Sequence, residues 1–168
     1  MKNQIEIERK YIIRKPSPSL FSGEEGYTES RIVQIYLDSE SGVTHRIRSR
    51  KYESRTEYTE TKKTRVDSMS SLEEEREISE AEFISLSKKI KSGTLPVMKT
   101  RYTFLYKGVT VEIDVYPAWE RSAILETELE TREAAAELPS FIEIIREVTG
   151  DKRYSNAAMA ASFPEEII

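Results

Sequence analysis

The stretch Ile5-Glu6-Ile7-Glu8-Arg9-Lys10-Tyr11-Ile12-Ile13 alternates apolar and charged residues near the start of the chain. Successive side chains of an extended strand point to opposite faces, so Glu6, Glu8 and Lys10 share one face of a predicted strand. The apolar residues between them share the other face. A half-buried strand with its charged face in water has the same pattern, so the stretch acquires meaning only because later strands repeat it.

The same alternation returns along most of the chain, and we interpret each repeat as a further strand. The acidic run Glu73–Glu77 has poor strand propensity, but a helix signal begins only after it, so we predict a separate strand there. The predicted strands cover residues 4–13, 32–38, 43–53, 56–65, 72–78, 95–107, 109–116 and 122–130.

Helices are predicted in two regions. Ser79 followed by Glu82 forms a capping box, and apolar residues then follow at helical spacing, which predicts a helix from about residue 80 to near residue 93. From Thr131 the apolar period is again helical, which predicts two or three short helices. Residues 14–30 are rich in proline, glycine and serine and are predicted as a loop.

Seven of the predicted strands place charges on one face, mostly two residues apart. The basic positions are Lys10, Arg46, Arg48, Arg50, Lys62, Lys99 and Arg101. The acidic positions are Glu6, Glu8, Glu73, Glu75, Glu77, Glu112, Asp114, Glu126, Glu128 and Glu130. The acidic positions exceed the basic ones by three, so a cavity lined by all of them would carry a negative charge.

So many one-sided charged faces favour a sheet that curls with its charges inside. A dry interior is excluded, because an isolated buried charge costs on the order of tens of kcal/mol by Born solvation. The interior must therefore hold water, and its charges must pair or bind ions. We predict an α+β protein built on a closed or nearly closed β-barrel with a charged lumen, whose apolar outer face is covered by helices and loops.

Composition narrows the chemistry. The 168 residues fit one domain over 1–168, and a net charge of −4 gives no general attraction to nucleic acid or to anionic membranes. The absence of cysteine excludes disulfides, thiolate metal sites and cysteine nucleophiles, and the single histidine, His45, excludes a multi-histidine site. The first residues lack the apolar run of a signal peptide, so a cytoplasmic location is expected.

The two sets of charges have complementary uses. Arginine and lysine in a concave site bind phosphate oxygens, and arginine can do so with two parallel hydrogen bonds. Clustered carboxylates without histidine suit Mg²⁺ or Mn²⁺, which keep coordination places for water and substrate phosphate. The pattern therefore favours a metal site next to a polyphosphate site.

The charged pairs also resemble a known family, the CYTH superfamily of triphosphate tunnel metalloenzymes. Its Glu-x-Glu-x-Lys opening is matched by Glu6 to Lys10. The resemblance covers nearly the whole chain in order, through Arg46-Ile47-Arg48, Lys62, Glu73-Glu74-Glu75, Lys99-Thr100-Arg101, Glu112-Ile113-Asp114, Glu126-Thr127-Glu128 and the segment Glu147–Asn156.

The resemblance implies an eight-stranded antiparallel tunnel and a role for each matched residue. Lys10 would lie near the terminal phosphate. Glu73 and Glu75 would join the metal site or orient the attacking water. The remaining triphosphate-binding candidates are Arg46, Arg48, Lys62, Lys99, Arg101 and, from the tunnel mouth, Arg153. The metal candidates are Glu6, Glu8, Glu112, Asp114, Glu126 and Glu128.

Within such a family we expect a metal-dependent hydrolase of inorganic triphosphate or a similar small triphosphate. Two alternatives stay open, a class IV-like adenylyl cyclase that makes cyclic AMP from ATP and a polyphosphate or nucleotide sensor without turnover. The cyclase branch carries a His-Phe pair in its early loop, whereas residues 14–30 contain no histidine. Tyr27, Tyr36, Tyr58 and Trp119 are the residues that would be available to stack on a base.

The sequence alone leaves the roles of some residues undecided. Arg50 lies near a strand end and fits a surface role as well as a tunnel role, and Arg153 fits packing as well as binding. His45 is expected to point away from Arg46. The expected partner is a small triphosphate, with no membrane or nucleic acid, and a homodimer is compatible with the pattern.

Overall fold

The computed structural model describes residues 2–135 and 137–168, and within them the chain forms nine strands and two short α-helices. The strands are β1 (Lys2–Arg14), β2 (Thr28–Leu37), β3 (Val43–Lys51), β4 (Thr56–Arg65), β5 (Ser70–Glu77), β6 (Val97–Tyr106), β7 (Val109–Val115), β8 (Ser122–Glu128) and β9 (Ile144–Glu147). The helices are α1 (Glu80–Ser87) and α2 (Asn156–Ala161), and 3-10 turns cover Pro18–Leu20 and Lys152–Tyr154.

Eight of the strands close into a barrel, which confirms the predicted fold. The hydrogen-bonded order is β5-β4-β3-β2-β6-β7-β8-β1, every pairing is antiparallel, and β5 pairs back to β1. The acidic run over residues 73–77 lies in β5, as predicted, since its strand neighbours satisfy the backbone in spite of its poor propensity.

The ninth strand corrects the prediction that only helices follow Thr131. Phe141, Ile145 and Val148 have helical spacing, but Ile144–Glu147 forms β9 against Tyr11–Ile13 of β1. The reason lies in strand length, because β5 pairs only with the first half of β1 and leaves the edge of its second half free. That open edge takes up β9, and after it only a 3-10 turn and α2 follow.

Apolar clusters cover the outside of the barrel on two sides. Tyr11, Ile113 and Leu125, which point outward, pack against Phe21 from the loop after β1 and Ile142 from the segment before β9. On another side, Ile35, Leu37 and Ile47 pack against residues of α1 and the turn after it.

Helix α1 begins at the predicted capping box, in which Ser79 and Glu82 exchange hydrogen bonds, but it ends at Ser87 rather than near Gly93. It stops early because the chain turns to pair with β2, through an isolated bridge of Ile90 with Leu37. Neither this helix nor any other in residues 2–135 and 137–168 has the length and apolar character needed to cross a bilayer.

A third cluster fills one end of the barrel interior. Ile12, Val97 and Ile124 continue the inward faces of β1, β6 and β8 beyond the last charged positions, and Tyr116 lies with them. Met159 and Ala160 of α2 pack onto this cluster from outside the barrel. The interior is therefore apolar at this end, and the charged cavity occupies the remainder.

Candidate active site

The barrel encloses a cavity of about 600 Å³. Its charged lining residues come from β1, β3–β8 and the segment after β9. The basic ones are Lys2, Lys10, Arg46, Arg48, Arg50, Lys63, Arg65, Lys99, Arg101 and Lys152. The acidic ones are Glu6, Glu8, Glu73, Glu75, Glu112, Glu126, Glu128 and Asp151.

These lining residues correct the expected sign of the lumen. Basic groups exceed acidic groups by two along the cavity wall, whereas the sequence prediction gave an acidic excess. The difference arises because Glu77, Asp114 and Glu130 are not among the lining residues, whereas several basic residues that the sequence analysis did not select are. With the adjacent Asp114 included, the basic excess is one. The cavity therefore attracts anions before any metal ion is added.

One side of the cavity is a tightly compensated charge network, which we call the paired wall: Lys99, Arg101, Glu112, Asp114 and Glu126. Arg101 donates to both oxygens of Asp114 at 2.7 and 2.8 Å and to Glu112 at 2.6 Å. Lys99 donates to Asp114 at 2.6 Å. The register explains the geometry, since Arg101 lies directly across from Asp114 in the β6–β7 pair.

Burial matters for Lys99 in this wall. Its side chain is 1% exposed, and burial together with the neighbouring Arg101 charge lowers its pKa to about 8, although Asp114 acts in the opposite direction. Asp114 is equally buried, but Arg101 and Lys99 more than offset the cost of burial and hold its pKa below the usual value. Asp114 therefore lies behind the two cations, where it fixes both of their head groups.

The opposite side is less compensated, and we call Arg46, Arg48 and Arg50 of β3 the arginine wall. Arg46 approaches Glu73 only to 3.9 Å and Arg48 approaches Glu75 only to 3.7 Å. The Nε atoms of Arg46 and Arg48 are buried without a hydrogen-bond partner. Burial and the adjacent Arg46 charge lower the pKa of Arg48 to about 10. At Arg46, by contrast, burial is more than offset by Tyr36 and Glu73, which raise the pKa, so Arg48 is the less compensated of the two. The two unpartnered Nε atoms are free to donate to a bound anion.

Lys10 and Lys63 are further basic residues of the lining. Lys10 lies 3.2 Å from Glu126 and donates to the carbonyl oxygen of Tyr154 at 3.1 Å. Lys63 lies between two carboxylates, 3.1 Å from Glu73 and 3.6 Å from Glu6. Burial opposes the charge of both lysines, but their acidic neighbours dominate and raise both pKa values.

Three pairs of carboxylates lie close together in the cavity. Burial and the neighbouring Glu73 raise the pKa of Glu6 to about 8. The charge of Glu126 and burial raise the pKa of Glu8 to about 7, and burial and Glu112 raise that of Glu128 to about 7. Each pair therefore tends to hold a proton in the absence of a cation, because two adjacent carboxylates repel when both are ionised.

These pairs fit a hard divalent cation. Among residues 2–135 and 137–168, no group of three or more Asp, Glu or His residues forms a ready-made metal cage. Magnesium is commonly bound through one or two carboxylates, with waters and substrate phosphates completing its shell. The two-carboxylate contacts Glu6–Glu73, Glu8–Glu126 and Glu112–Glu128 have the donor chemistry for such a site.

The segment after β9 covers one opening of the cavity and touches two of its lysines. Thr149 accepts a hydrogen bond from the backbone of Lys10 at 3.0 Å. Asn156 accepts at Oδ1 from the hydroxyl of Tyr116 at 2.9 Å and from Lys99 at 3.5 Å. Gly150, with φ of 77°, packs against Ser68 of the β4–β5 turn, where an added Cβ would lie 3.2 Å from the serine side chain.

Two expected site residues lie elsewhere. Lys62 does not line the cavity. It lies opposite His45 of β3 on the outer face of the barrel, whereas Lys63 points inward. Strand parity explains the shift, because Arg46 and Arg48 lie opposite Thr61 and Thr59, which places odd-numbered residues of β4 inside. Arg153 is also outside the cavity, with its side chain 69% exposed and bound to Asp151.

The other selected residues come together. Those that line the cavity are Glu6, Glu8, Lys10, Arg46, Arg48, Glu73, Glu75, Lys99, Arg101, Glu112, Glu126 and Glu128, with Asp114 directly behind. Lys63, Gln34 and Asn156 are among the lining residues that the sequence analysis missed. Only Lys63 had a usable signal, the parity of β4, since an isolated glutamine or asparagine has no charge pattern.

Comparison with known proteins supports the same fold. No family model matches the chain, and no curated protein matches its sequence. Among solved structures, the inorganic triphosphatase NE1496 is similar, with 29% identity and a TM-score of 0.61 over 95% of this chain and 97% of that one.

Two more distant structures share the fold. A putative adenylyl cyclase from Hippeastrum, described as having a dominant triphosphatase activity, has 16% identity and a TM-score of 0.53 over 76% of this chain and 81% of that one. A putative adenylate cyclase from Bacillus halodurans has 20% identity and a TM-score of 0.54 over 79% of this chain and 84% of that one.

Proposed function

Because the chain has the triphosphate-tunnel fold of the CYTH superfamily, we propose that it hydrolyses inorganic triphosphate or a similar small triphosphate with Mg²⁺ or Mn²⁺. The observation that carries this proposal is the cavity itself, in which an under-compensated row of arginines faces paired carboxylates across a water-accessible space. A phosphate chain and a hard cation are the two ligands that satisfy both sides at once.

We assign each basic group a role that is compatible with its contacts. Arg46 and Arg48 bind phosphate oxygens through guanidinium groups that lack full partners in the free protein. Lys63 and Lys10 bind from the β4 and β1 sides, with Lys10 nearest the terminal phosphate. Lys99 and Arg101 complete the binding surface in positions fixed by Asp114.

The carboxylates bind the metal and the attacking water. Glu6, Glu8, Glu112, Glu126 and Glu128 are the proposed metal ligands, and Asp114 supports the cations instead. A bound Mg²⁺ supplies charge neutralisation at the phosphates and lowers the pKa of a coordinated water. We assign to Glu73 and Glu75 a share in metal binding or the orientation of the attacking water. Positioning and electrostatic stabilisation then account for most of the rate enhancement.

The cavity wall favours a phosphate chain over a nucleotide or thiamine triphosphate. Of the described residues that line the cavity, Tyr36 alone is aromatic, and it is 5% exposed. The other aromatic residues that were available for stacking pack elsewhere: Tyr27 against Phe21, Tyr58 against Phe83 and Trp119 against Tyr116. A base or a thiazolium ring would therefore find little stacking surface.

A product assay tests the proposal. Triphosphate, ATP and thiamine triphosphate are each incubated with the protein and Mg²⁺ or Mn²⁺, and phosphate, pyrophosphate and cyclic AMP are measured. We expect phosphate release from triphosphate to be the fastest reaction. It should be reduced about 100-fold in Arg48→Ala and retained in Lys62→Ala, a matched basic residue outside the cavity. Cyclic AMP with pyrophosphate from ATP would favour the cyclase, and tight binding without any product would favour a sensor. A cytoplasmic location and a homodimer stay predictions.

A further inference from the structure

Arg50 lies at the open end of the cavity, which we define by Lys2, Gln4, Arg50 and Glu128. Lys2, Gln4 and Glu128 are exposed, so solvent reaches this end. Arg50 is held in place by neutral groups, since its Nε donates to Ser30 at 2.9 Å and its Nη2 lies 3.5 Å from Thr103. Its guanidinium also lies over the Tyr52 ring, 5.0 Å from the centroid.

Arg50 differs from the deeper cavity cations in its charge balance. Within the described residues no carboxylate oxygen lies within 4.0 Å of its guanidinium, whereas Lys10, Arg46, Arg48, Lys63, Lys99 and Arg101 all have one. Glu57 lies directly across from Arg50 on β4, but its carboxylate accepts from Arg55 at 2.9 Å. Arg50 therefore presents a fixed guanidinium with an uncompensated charge.

The spacing places this charge beyond a triphosphate. Arg46 and Arg50 are four residues apart on one strand face, so their Cα atoms are about 13 Å apart at roughly 3.3 Å per residue. A triphosphate has only two bridging oxygens and is shorter than this distance. If its phosphates contact Arg46, Arg48 and Lys10, then Arg50 lies past its last phosphate on the side of the open end.

Apolar side chains close part of the opposite end of the cavity to further phosphates. Ile12, Val97, Tyr116 and Ile124 fill the barrel interior there, and α2 packs over them. Arg65 also lines the cavity, but it is exposed and donates to the carbonyl oxygen of Ser68 at 3.1 Å. Arg50 is the better preorganised of the two cations, since three neighbouring side chains orient it.

We propose that Arg50 forms an additional phosphate subsite, which takes the fourth phosphate of linear tetraphosphate and of longer inorganic polyphosphates. The inference rests on the proposed function, because the first three phosphates must occupy the inner cavity. On this proposal, the open end of the barrel determines how many phosphates the preferred substrate contains. A guanidinium can donate two parallel hydrogen bonds to the oxygens of one phosphate.

The test compares the ratio of kcat/KM for tetraphosphate to that for triphosphate. We expect Arg50→Ala to lower this ratio about tenfold, which corresponds to about 1.4 kcal/mol. Ser30→Ala keeps the charge but releases Nε, and we expect a smaller fall in the ratio. Lys51→Ala removes a neighbouring exposed charge from the same strand end and is expected to leave the ratio unchanged.

Two results would overturn the subsite. One is an unchanged ratio in Arg50→Ala, and the other is a larger fall in Arg65→Ala than in Arg50→Ala, which would place the extra phosphate near Arg65. Calorimetric titration with triphosphate and with tetraphosphate gives the ratio of their Kd values, which tests the subsite even if neither compound is hydrolysed. Failure of the proposed hydrolysis and failure of the Arg50 subsite are therefore distinguishable.

Discussion

The paired wall and the arginine wall contain similar basic residues, yet their charges are balanced in different ways. In the paired wall, Lys99 and Arg101 contact Asp114 and Glu112 at 2.6 to 2.8 Å. In the arginine wall, the nearest carboxylates are at 3.7 and 3.9 Å for Arg48 and Arg46. The difference indicates that the paired wall is complete in the free protein, whereas the arginine wall depends on a bound anion to complete it.

The comparison predicts its largest effect on stability, and in the paired wall. Asp114→Asn leaves the buried charges of Lys99 and Arg101 short of their main partner, and breaking such a pair from one side costs about 3–5 kcal/mol. For a chain of this length we expect Tm to fall by roughly 10 °C. Thermal unfolding followed by circular dichroism measures it.

A surface pair serves as the control for this variant. Glu143→Gln removes the partner of Arg14, where both side chains are largely exposed, and should change stability by less than about 1 kcal/mol. Equal effects of the two substitutions would show that the paired wall has no special structural role.

In the arginine wall, we expect a substitution to weaken substrate binding rather than the stability of the fold. Arg48→Ala removes up to two charge-assisted hydrogen bonds to phosphate, at about 1.5–3 kcal/mol each in proteins. We expect kcat/KM for triphosphate to fall about 100-fold, which corresponds to about 2.7 kcal/mol. Tm without substrate should stay level or rise, because burial and the Arg46 charge already disfavour the charged form of Arg48. A large fall in Tm with unchanged kcat/KM would reverse the roles of the two walls.

The carboxylate pairs predict a smaller, pH-dependent effect. Glu6, Glu8 and Glu128 have pKa values raised to about 8, 7 and 7 from 4.5. Stability from their protonated forms is fully present below the unfolded-state pKa and is lost as pH rises through 7–8. Without metal, Tm should therefore decrease between about pH 6 and pH 9.

Added Mg²⁺ or Mn²⁺ should counter this loss, since a cation binds the ionised pairs that repel each other. We expect the rise in Tm on adding metal to be a few degrees larger near pH 9 than near pH 6. Glu8→Gln should reduce the difference. A metal effect that is the same at both pH values would argue against metal binding by these pairs.

The smallest expected effect concerns Asn156, which joins the covering segment to the paired wall. Its Oδ1 accepts from Lys99 at a long 3.5 Å, so the bond is weak, and we expect Asn156→Ala to lower kcat/KM for triphosphate about threefold, or about 0.7 kcal/mol. Tyr116→Phe removes the other hydrogen bond to the same oxygen and should lower kcat/KM by less. Steady-state kinetics measures both effects. A larger loss in Tyr116→Phe would assign the contribution to the tyrosine.

Much of the barrel was predictable from residue alternation. The charged faces of Glu6–Lys10 and Arg46–Arg48 have a strict period of two, and an alternation sustained over several strands leaves little freedom in secondary structure. The strand β9 was not predictable, because its position depends on the free edge that β5 leaves on β1.

Within the site, the sequence gives residue types more readily than orientations. Lys62 and Lys63 are adjacent and identical, so only the register of β4 against β3 decides which one faces the cavity. The distinction between Asp114 and Glu112 also depends on three-dimensional geometry. Both lie on the inner face of β7, but Asp114 is enclosed by Lys99 and Arg101 whereas Glu112 reaches the cavity.

The central claim is that a hard cation and the arginine wall act together on a phosphate chain. The most direct measurement is phosphate release from triphosphate by protein first treated with a chelator and then titrated with Mg²⁺ or Mn²⁺. We predict no release without metal, restored release on titration, and a rate in Arg48→Ala that added metal does not restore. Release that persists with chelator, or the absence of release at every metal concentration, would contradict the account.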